Sequence, residues 1–413
     1  MNTPPQTRNV ALYPWYAAVF HAYFWMPVFF LYFLGHMGLA DVLRLEAIYY
    51  LSVVLLEVPS GYFSDRCGRR LTLLIASSAL LVAYSIFFIG SGFAAFAVAQ
   101  VFLAAGVAFN SGTDTSLHFD SLAALDREHE FDEREAVVAR NSMLASGLAA
   151  LIGGGAGVFD LRYAYLLSVG AAIASLLIVL LMHEPESHRK VLVPAGPTRQ
   201  VKTCVRLLKQ PIMAWLFAFY VLMTVLNHVP YEFYQPYIDL TLTDRLVLGK
   251  ATPLGTGVHV GVAMVIAAWF AGRSIRVRDR LGLGGVLLSA AVLQTVIIGV
   301  MGLVLHPLVI VLILFRSVPR ALMTAPLNAA IAPRVDRAQR ATFMSIQSLV
   351  GRLAFSGFLV VLSLVPSEVQ GGRWAVMSEQ LLIGGVVGLG GSLALALCVR
   401  SIFLPGSPDE RRG

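Results

Sequence analysis

Charge is what this chain has least of. Only 13% of its 413 residues are charged, where a soluble globular domain carries about 25%, and that deficit excludes an ordinary water-facing surface. Cysteine is scarcer still, at three residues. Cys67, Cys204 and Cys398 form neither a Cys-x-x-Cys pair nor a zinc spacing, so no disulfide framework and no metal site is expected. No Ser/His/Asp order, phosphate loop or paired-carboxylate site in a soluble domain can be found, and no enzyme and no cofactor is expected. The glycines Gly153, Gly154, Gly155 and Gly157 are no dinucleotide loop, because no strand pattern precedes them. Short alternating strands of an outer-membrane barrel are missing as well.

What the chain has in quantity is apolar surface. Hydrophobic residues make up 57% of it, and the mean hydropathy is +0.73. A helix needs about 20 mostly apolar residues to cross a bilayer, and twelve such runs can be marked: 13–34, 42–63, 71–90, 93–115, 137–159, 163–182, 211–234, 254–273, 283–305, 307–330, 342–364 and 377–403. The expected fold class is therefore an all-α integral membrane protein with twelve transmembrane helices. The first run opens on Tyr13, Trp15 and Tyr16 and lacks an Ala-x-Ala cleavage site, which marks a retained span rather than a signal peptide.

Basic residues alternate between the connections. Arg66, Arg69, Arg70, Arg127, Arg134, Arg140, the six of 189–209, Arg273, Arg276, Arg278, Arg280, Arg334, Arg337 and Arg340 share one side with both termini. The other side holds only Arg44, Arg162, Arg245, Lys250 and Arg373. The positive-inside rule then puts both termini in the cytoplasm. A net charge of +7 needs no nucleic acid, since anionic lipid is the natural partner of those residues.

The stretch Gly61-Tyr62-Phe63-Ser64-Asp65-Arg66-Cys67-Gly68-Arg69-Arg70 lies between the second and third runs. Glycine permits a tight turn and close approach of helix ends, and an aspartate beside arginines can hold a charge-assisted network. Half a chain later, Asp279-Arg280-Leu281-Gly282 repeats Asp65-Arg66-Cys67-Gly68. The copy is degraded, with Ile275 at the opening glycine and Leu283-Gly284 in place of the arginine pair.

This pattern resembles the cytoplasmic signature of the major facilitator superfamily, and the length, spans and half-chain repeat resemble it too. The resemblance implies two pseudo-symmetric six-helix bundles, residues 1–182 and 211–413, joined by a cytoplasmic loop at 183–210. It also implies a gate built from Gly61, Asp65, Arg66, Gly68, Arg69 and Arg70, echoed by Asp279, Arg280 and Gly282, and a functional monomer. Glu57-Val58-Pro59-Ser60-Gly61 and Ser111-Gly112-Thr113-Asp114 resemble a bacterial branch of efflux and unassigned carriers. Gln100 stands near where many proton-coupled members carry an arginine, and the Gly-Pro pair of drug antiporters is absent among the glycines from Gly147 to Gly157, which counts against export; close packing of membrane helices on small residues accounts for those glycines better than a function does.

Ionisable side chains inside spans cost about 2.5–3.5 kcal/mol each on insertion scales, so each is a functional candidate. Glu57, Asp114 and Glu232 are the candidate proton carriers, with gate struts as the alternative for the first two. Asn110, Asp114 and His118 are spaced by four and share a helix face. In the seventh span, Asn227, Tyr231 and Gln235 lie beside His228 and Glu232, and the tenth carries Arg316 and Arg320. With His21 and Trp25 on the first, these residues are the candidate substrate contacts. The charged run from Asp126 to Glu135 reads as a solvated, salt-bridged helix end. The expected function is a proton-coupled secondary transporter in the inner (cytoplasmic) membrane that exports a small organic molecule. Uptake by symport and a substrate sensor on the same scaffold are the alternatives.

Overall fold

The computed structural model describes residues 5–185, 206–246, 251–335, 337–366 and 372–403. Only the ends of the expected 183–210 connection fall among them. The described residues contain helices and turns and no strand. The helices are α1 (Pro5–Phe20), α2 (Phe29–Leu34), α3 (Leu39–Cys67), α4 (Arg69–Ile89), α5 (Gly92–Asn110), α6 (Thr113–Ala123), α7 (Phe131–Gly157) and α8 (Leu161–Leu181). They continue as α9 (Pro211–Leu246), α10 (Thr252–Ala271), α11 (Ser274–Leu303), α12 (Pro307–Ile313), α13 (Val318–Ile331), α14 (Arg337–Ser363) and α15 (Gly372–Phe403).

Ten helical segments among the described residues are long and apolar enough to cross a membrane. The two remaining expected spans are present in altered form. The second is α3, which has 29 residues but holds Glu46 and Glu57 within its apolar run. The first is interrupted: α1 ends at Phe20, and residues 21–28 run as turns before α2. Pro27 offers no N–H and disfavours helix in the preceding turn, which accounts for the break.

Two further spans are split. Gly112, at φ 72°, sits between α5 and α6 in a left-handed conformation that favours glycine. Residues 314–317 form turns between α12 and α13, where Pro319 cannot donate back to the preceding turn. α9, by contrast, runs unbroken through Pro230 and Pro236. Broken helices expose backbone at membrane depth, and such backbone is tolerated only where protein or a water-filled cavity satisfies it.

Contacts divide the chain into two compact units, 1–190 with 250–261, and 191–249 with 262–413. In the first, α4 packs on α5 and α8, and α3 packs on α5. In the second, α11 packs on α15 and α13, and α9 on α14. The half-chain repeat survives in the backbone. Gly68 has φ 101° and ψ 154°, and Gly282 has φ 74° and ψ 168°, a region that side-chain-bearing residues avoid. Both copies therefore turn on the same glycine, although the charged residues around it have diverged.

Candidate functional site

Three polar clusters hold the candidate residues. The first surrounds the 65–70 turn. Arg69 is its hub, with Nη1 2.7 Å from Asp65 Oδ1 and Nε 3.5 Å from Asp120 Oδ2. The same Nη1 donates to Ser64 Oγ at 2.8 Å. Arg70 donates to the carbonyls of Val179 and Leu180 at the end of α8. Arg66 lies over the Tyr62 ring, 5.1 Å from its centroid.

Glu184, within the expected 183–210 connection, completes this cluster. Its two carboxylate oxygens accept from the backbone N–H groups of Arg69 and Arg70 at 2.7 and 2.8 Å. Those are N-terminal amides of α4, with no partner inside the helix, and a carboxylate there also meets the positive end of the helix dipole. A Cβ at Gly68 would stand 2.9 Å from Glu184 Cδ. The glycine is thus required twice, for its φ and for the approach of Glu184. Gly61 does not share this duty: it lies within α3, and a Cβ there would meet nothing within 4 Å. Asn9, fully buried, secures the adjacent residue by accepting from His183 N and donating to His183 O, both at 2.8 Å. In the second copy, Asp279 pairs only with neighbouring Arg278 at 2.7 Å among the described residues, and Arg280 is exposed.

Glu184→Ala is expected to lower the thermal midpoint of the full-length protein in detergent by a few degrees, because losing a helix cap costs about 1 kcal/mol. An unchanged midpoint would show that the clamp contributes nothing to the turn.

The second cluster is built on the break at Gly112, which puts Asp114 in the first turn of α6. Asp114 is 9% exposed. Its carboxylate accepts from Asn110 Nδ2 at 3.3 Å and from the N–H and Oγ1 of Thr115 at 2.8 and 3.3 Å. Tyr16 donates to Asn110 Oδ1 at 2.7 Å, so α1, α5 and α6 meet at one carboxylate whose hydrogen-bond partners are all neutral. His118, one turn on, stacks on Tyr13 with ring centroids 4.3 Å apart. Its Nδ1 lies 2.6 Å from Glu135 Oε1. The 126–135 run is therefore divided. Glu130 is bound by Arg127 and Arg134, as expected of a salt-bridged helix end, while Glu135 turns inward to a buried histidine.

Elsewhere in this unit, Glu57 is half-buried. Glu46, which is not among the sequence candidates, is buried and accepts from Gln100 Nε2 at 3.0 Å. That partnership explains what occupies the Gln100 position. His21 and Trp25 do not share a helix face, because α1 ends before them. His21 Nδ1 lies 2.7 Å from Ala17 O, and Trp25 donates to Tyr84 Oη at 3.1 Å.

The third cluster belongs to the second unit. Glu232 and Gln235 are fully buried on α9, and Gln235 donates to Tyr234 Oη at 3.0 Å. Tyr231 lies beside Tyr234, with centroids 6.3 Å apart. Arg316, 5% exposed, sits in the turn between α12 and α13 with its guanidinium 4.3 Å from the Tyr234 ring centroid, a cation–π arrangement that gains strength when desolvated. The break separates it from Arg320, which is exposed, so the two arginines do not form one helical stripe. Asn227 donates to Met323 Sδ at 3.7 Å, and His228 Nδ1 lies 2.6 Å from Thr224 O.

Two units of long apolar helices, split spans and buried polar groups at the splits define a membrane transporter. The family model of the Major Facilitator Superfamily matches residues 16–360, and the chain belongs to that superfamily. It is a multi-pass membrane protein of the secondary-transporter kind. The fold is similar to that of the nucleoside transporter NupG, at TM-score 0.74 and 12% identity over 96% of this chain and 99% of that one. A bacterial homologue of the human lysosomal transporter Spinster matches at TM-score 0.69 and 12% identity, covering 97% and 98%. A D-xylose-proton symporter matches at 0.61 and 16% identity, covering 95% of each chain. Likeness at these identities is one of fold. No curated protein matches the chain in sequence.

Proposed function

We propose that the protein is a proton-coupled carrier that exports a small organic molecule across the inner membrane, with both termini in the cytoplasm. The observation that supports coupling most directly is the setting of Asp114. A buried carboxylate held by an amide, a hydroxyl and a backbone N–H can gain and lose a proton without breaking an ion pair. Its place at a helix break ties its charge to a part of the backbone that can rearrange. Proton and substrate then bias one two-state equilibrium, and each changes the other's affinity by the same factor. Buried Arg316, Tyr234 and Glu232 supply contacts of both signs for the substrate. The direction rests on the resemblance of the Glu57–Gly61 and Ser111–Asp114 stretches to efflux carriers.

The test compares the metabolites of cell extract and medium by untargeted mass spectrometry, with cells making the wild type or Asp65→Asn at equal abundance. The side chain of Asp65 is 68% exposed, and exposed ion pairs contribute about 0–1 kcal/mol, so the substitution should spare the fold and impair the gate. A compound depleted inside and enriched outside only with the wild type is the expected result. The opposite sign would replace export with uptake, and no difference would favour the sensor reading.

A further inference from the structure

The exposed face of α13 has the wrong chemistry for lipid. Its exposed residues are Arg320, Thr324, Ala325, Asn328 and Ala329, while its large hydrophobic side chains, Val318, Leu322, Met323, Leu327 and Ile331, are all buried. Just before it, α12 exposes Leu308 and Val311, as a lipid-facing helix should. Arg320, Thr324 and Asn328 recur every four residues and form one stripe. Arg320 stands midway along the 25-residue span Pro307–Ile331. At that depth an arginine in hydrocarbon is costly, and ionisable residues face a bundle interior or a water-filled cavity. The stripe therefore borders water.

Neighbouring helices of the same unit continue this wet face. Asn227 donates to Met323 Sδ at 3.7 Å, one turn from Arg320, which sets α9 against α13. A Cβ at Gly351 would stand 2.7 Å from Thr224 Oγ1, and the rings of Phe355 and His228 lie 4.8 Å apart. These contacts set α14, with Arg352, against the same stretch of α9. Thr224, Asn227, His228 and Tyr231 of α9 are all partly open, and both Arg320 and Arg352 lie within electrostatic reach of His228.

The charges here do not cancel. Arg316 and Arg320 stand near the middle of one span and Arg352 near the middle of the 21-residue span Phe343–Ser363. Among the described residues of this unit, Glu232 is the one acid at comparable depth. Asp239, Asp244, Asp279 and Glu379 lie toward the ends of α9, α11 and α15, with Asp239 beside Arg373 and Asp279 beside Arg278. Whichever arginine Glu232 serves, two positive charges remain. The Arg320 guanidinium has no ion pair and no hydrogen bond among the described residues. One sign of charge along a low-dielectric wall draws the opposite sign, and a guanidinium fork matches a carboxylate or phosphate with two parallel hydrogen bonds.

We propose that the transported molecule is an organic anion, its carboxylate or phosphate oxygens held by Arg320 at mid-membrane, with Arg316 and Arg352 supplying the surrounding positive field. The inference rests on the transport reading and narrows it to a substrate class. Anion binding in detergent needs no flux, so a failure of export would leave it standing. An exported compound that lacks an anionic group would overturn the anion and leave export standing.

The experiment is thermal unfolding of the full-length protein in a nonionic detergent over concentration series of phenylacetate, phenyl phosphate, benzyl alcohol and benzylamine. A ligand that binds the folded state raises the midpoint in proportion to its occupancy. The expected result is a saturable rise with at least one of the two anions and none with the alcohol or the amine, the tighter anion telling carboxylate from phosphate. Arg320→Gln, at an exposed position, should weaken anion affinity about tenfold or more. Arg320→Lys, which keeps the charge without the fork, should weaken it less. Equal stabilisation by the alcohol or the amine, no rise with either anion, or anion affinity unchanged in Arg320→Gln would each overturn the proposal.

Discussion

Gly153→Ala is expected to remove most of the stable protein from the membrane. A Cβ at this position would stand 1.9 Å from the carbonyl oxygen of Phe24 and 2.7 Å from its carbon. Those are backbone atoms of the 21–28 turns, so no side-chain rotation relieves the clash. Either α7 or the chain between α1 and α2 must move. Overpacking costs about 1–3 kcal/mol, occasionally more, and contact with backbone places this case at the upper end. Gly154→Ala meets Pro253 O at 2.5 Å and should behave similarly. Gly155→Ala is the internal control, because a Cβ there meets nothing within 4 Å and alanine is the better helix former by about 1 kcal/mol. The measurement is the thermal midpoint and yield of the three variants in detergent. If Gly153→Ala matched Gly155→Ala, close packing of α7 on the Phe24 backbone would not be a stabilising feature. The α7 glycines thus divide into Gly153, Gly154 and Gly157, which touch neighbouring chain, and Gly147 and Gly155, which face open space.

Asp114→Asn is expected to abolish pH-driven accumulation while leaving substrate exchange across the membrane intact. Asparagine keeps an oxygen to accept from Asn110 and Thr115, so the local hydrogen bonds and the break at Gly112 should persist. What it cannot do is exchange a proton. Flux of the substrate identified by mass spectrometry, measured in proteoliposomes with and without a pH gradient, separates the two activities. Accumulation should fall about tenfold or more, in the range of ordinary coupling free energies. Full pH-driven accumulation in this variant would move the proton to Glu57 or Glu232, each testable as the glutamine variant in the same vesicles.

The candidate site was legible in proportion to how locally it is made. The 65–70 turn could be read because aspartate, arginine and glycine stand within one helix junction. Asp114 and Asn110 stand four apart, a spacing that marks one helix face, and the structure bonds them even though a break falls between. Contacts from distant chain carried no such mark. Glu184 caps α4 from 114 residues away, and Glu135 reaches back 17 residues to His118. Glu46 and Gln100, 54 apart, meet only because α3 packs on α5. Nothing in their own neighbourhoods distinguishes these residues from solvated charges.

Composition alone determined the class. With so few charges and so many apolar residues the chain belongs in lipid, where only helices and closed barrels satisfy the backbone, and apolar runs of about 20 residues without strand alternation select helices. The turn glycines and the half-chain repeat were determined at the same level, since the φ of 101° at Gly68 and 74° at Gly282, each with extended ψ, is a conformation that side-chain-bearing residues avoid. Only the tertiary structure decided where those helices stop. Apolar runs are continuous in sequence through residues 21–28, 111–112 and 314–317, yet the backbone leaves the helix in each, because prolines and Gly112 withhold hydrogen bonds or favour another conformation. Tertiary packing then fills the gap with Tyr16 and Asn110 at one split, and seats Arg316 against Tyr234 at another. Hydropathy averages over many residues, whereas a break is settled by a few hydrogen bonds and by whichever side chains the fold brings to meet them.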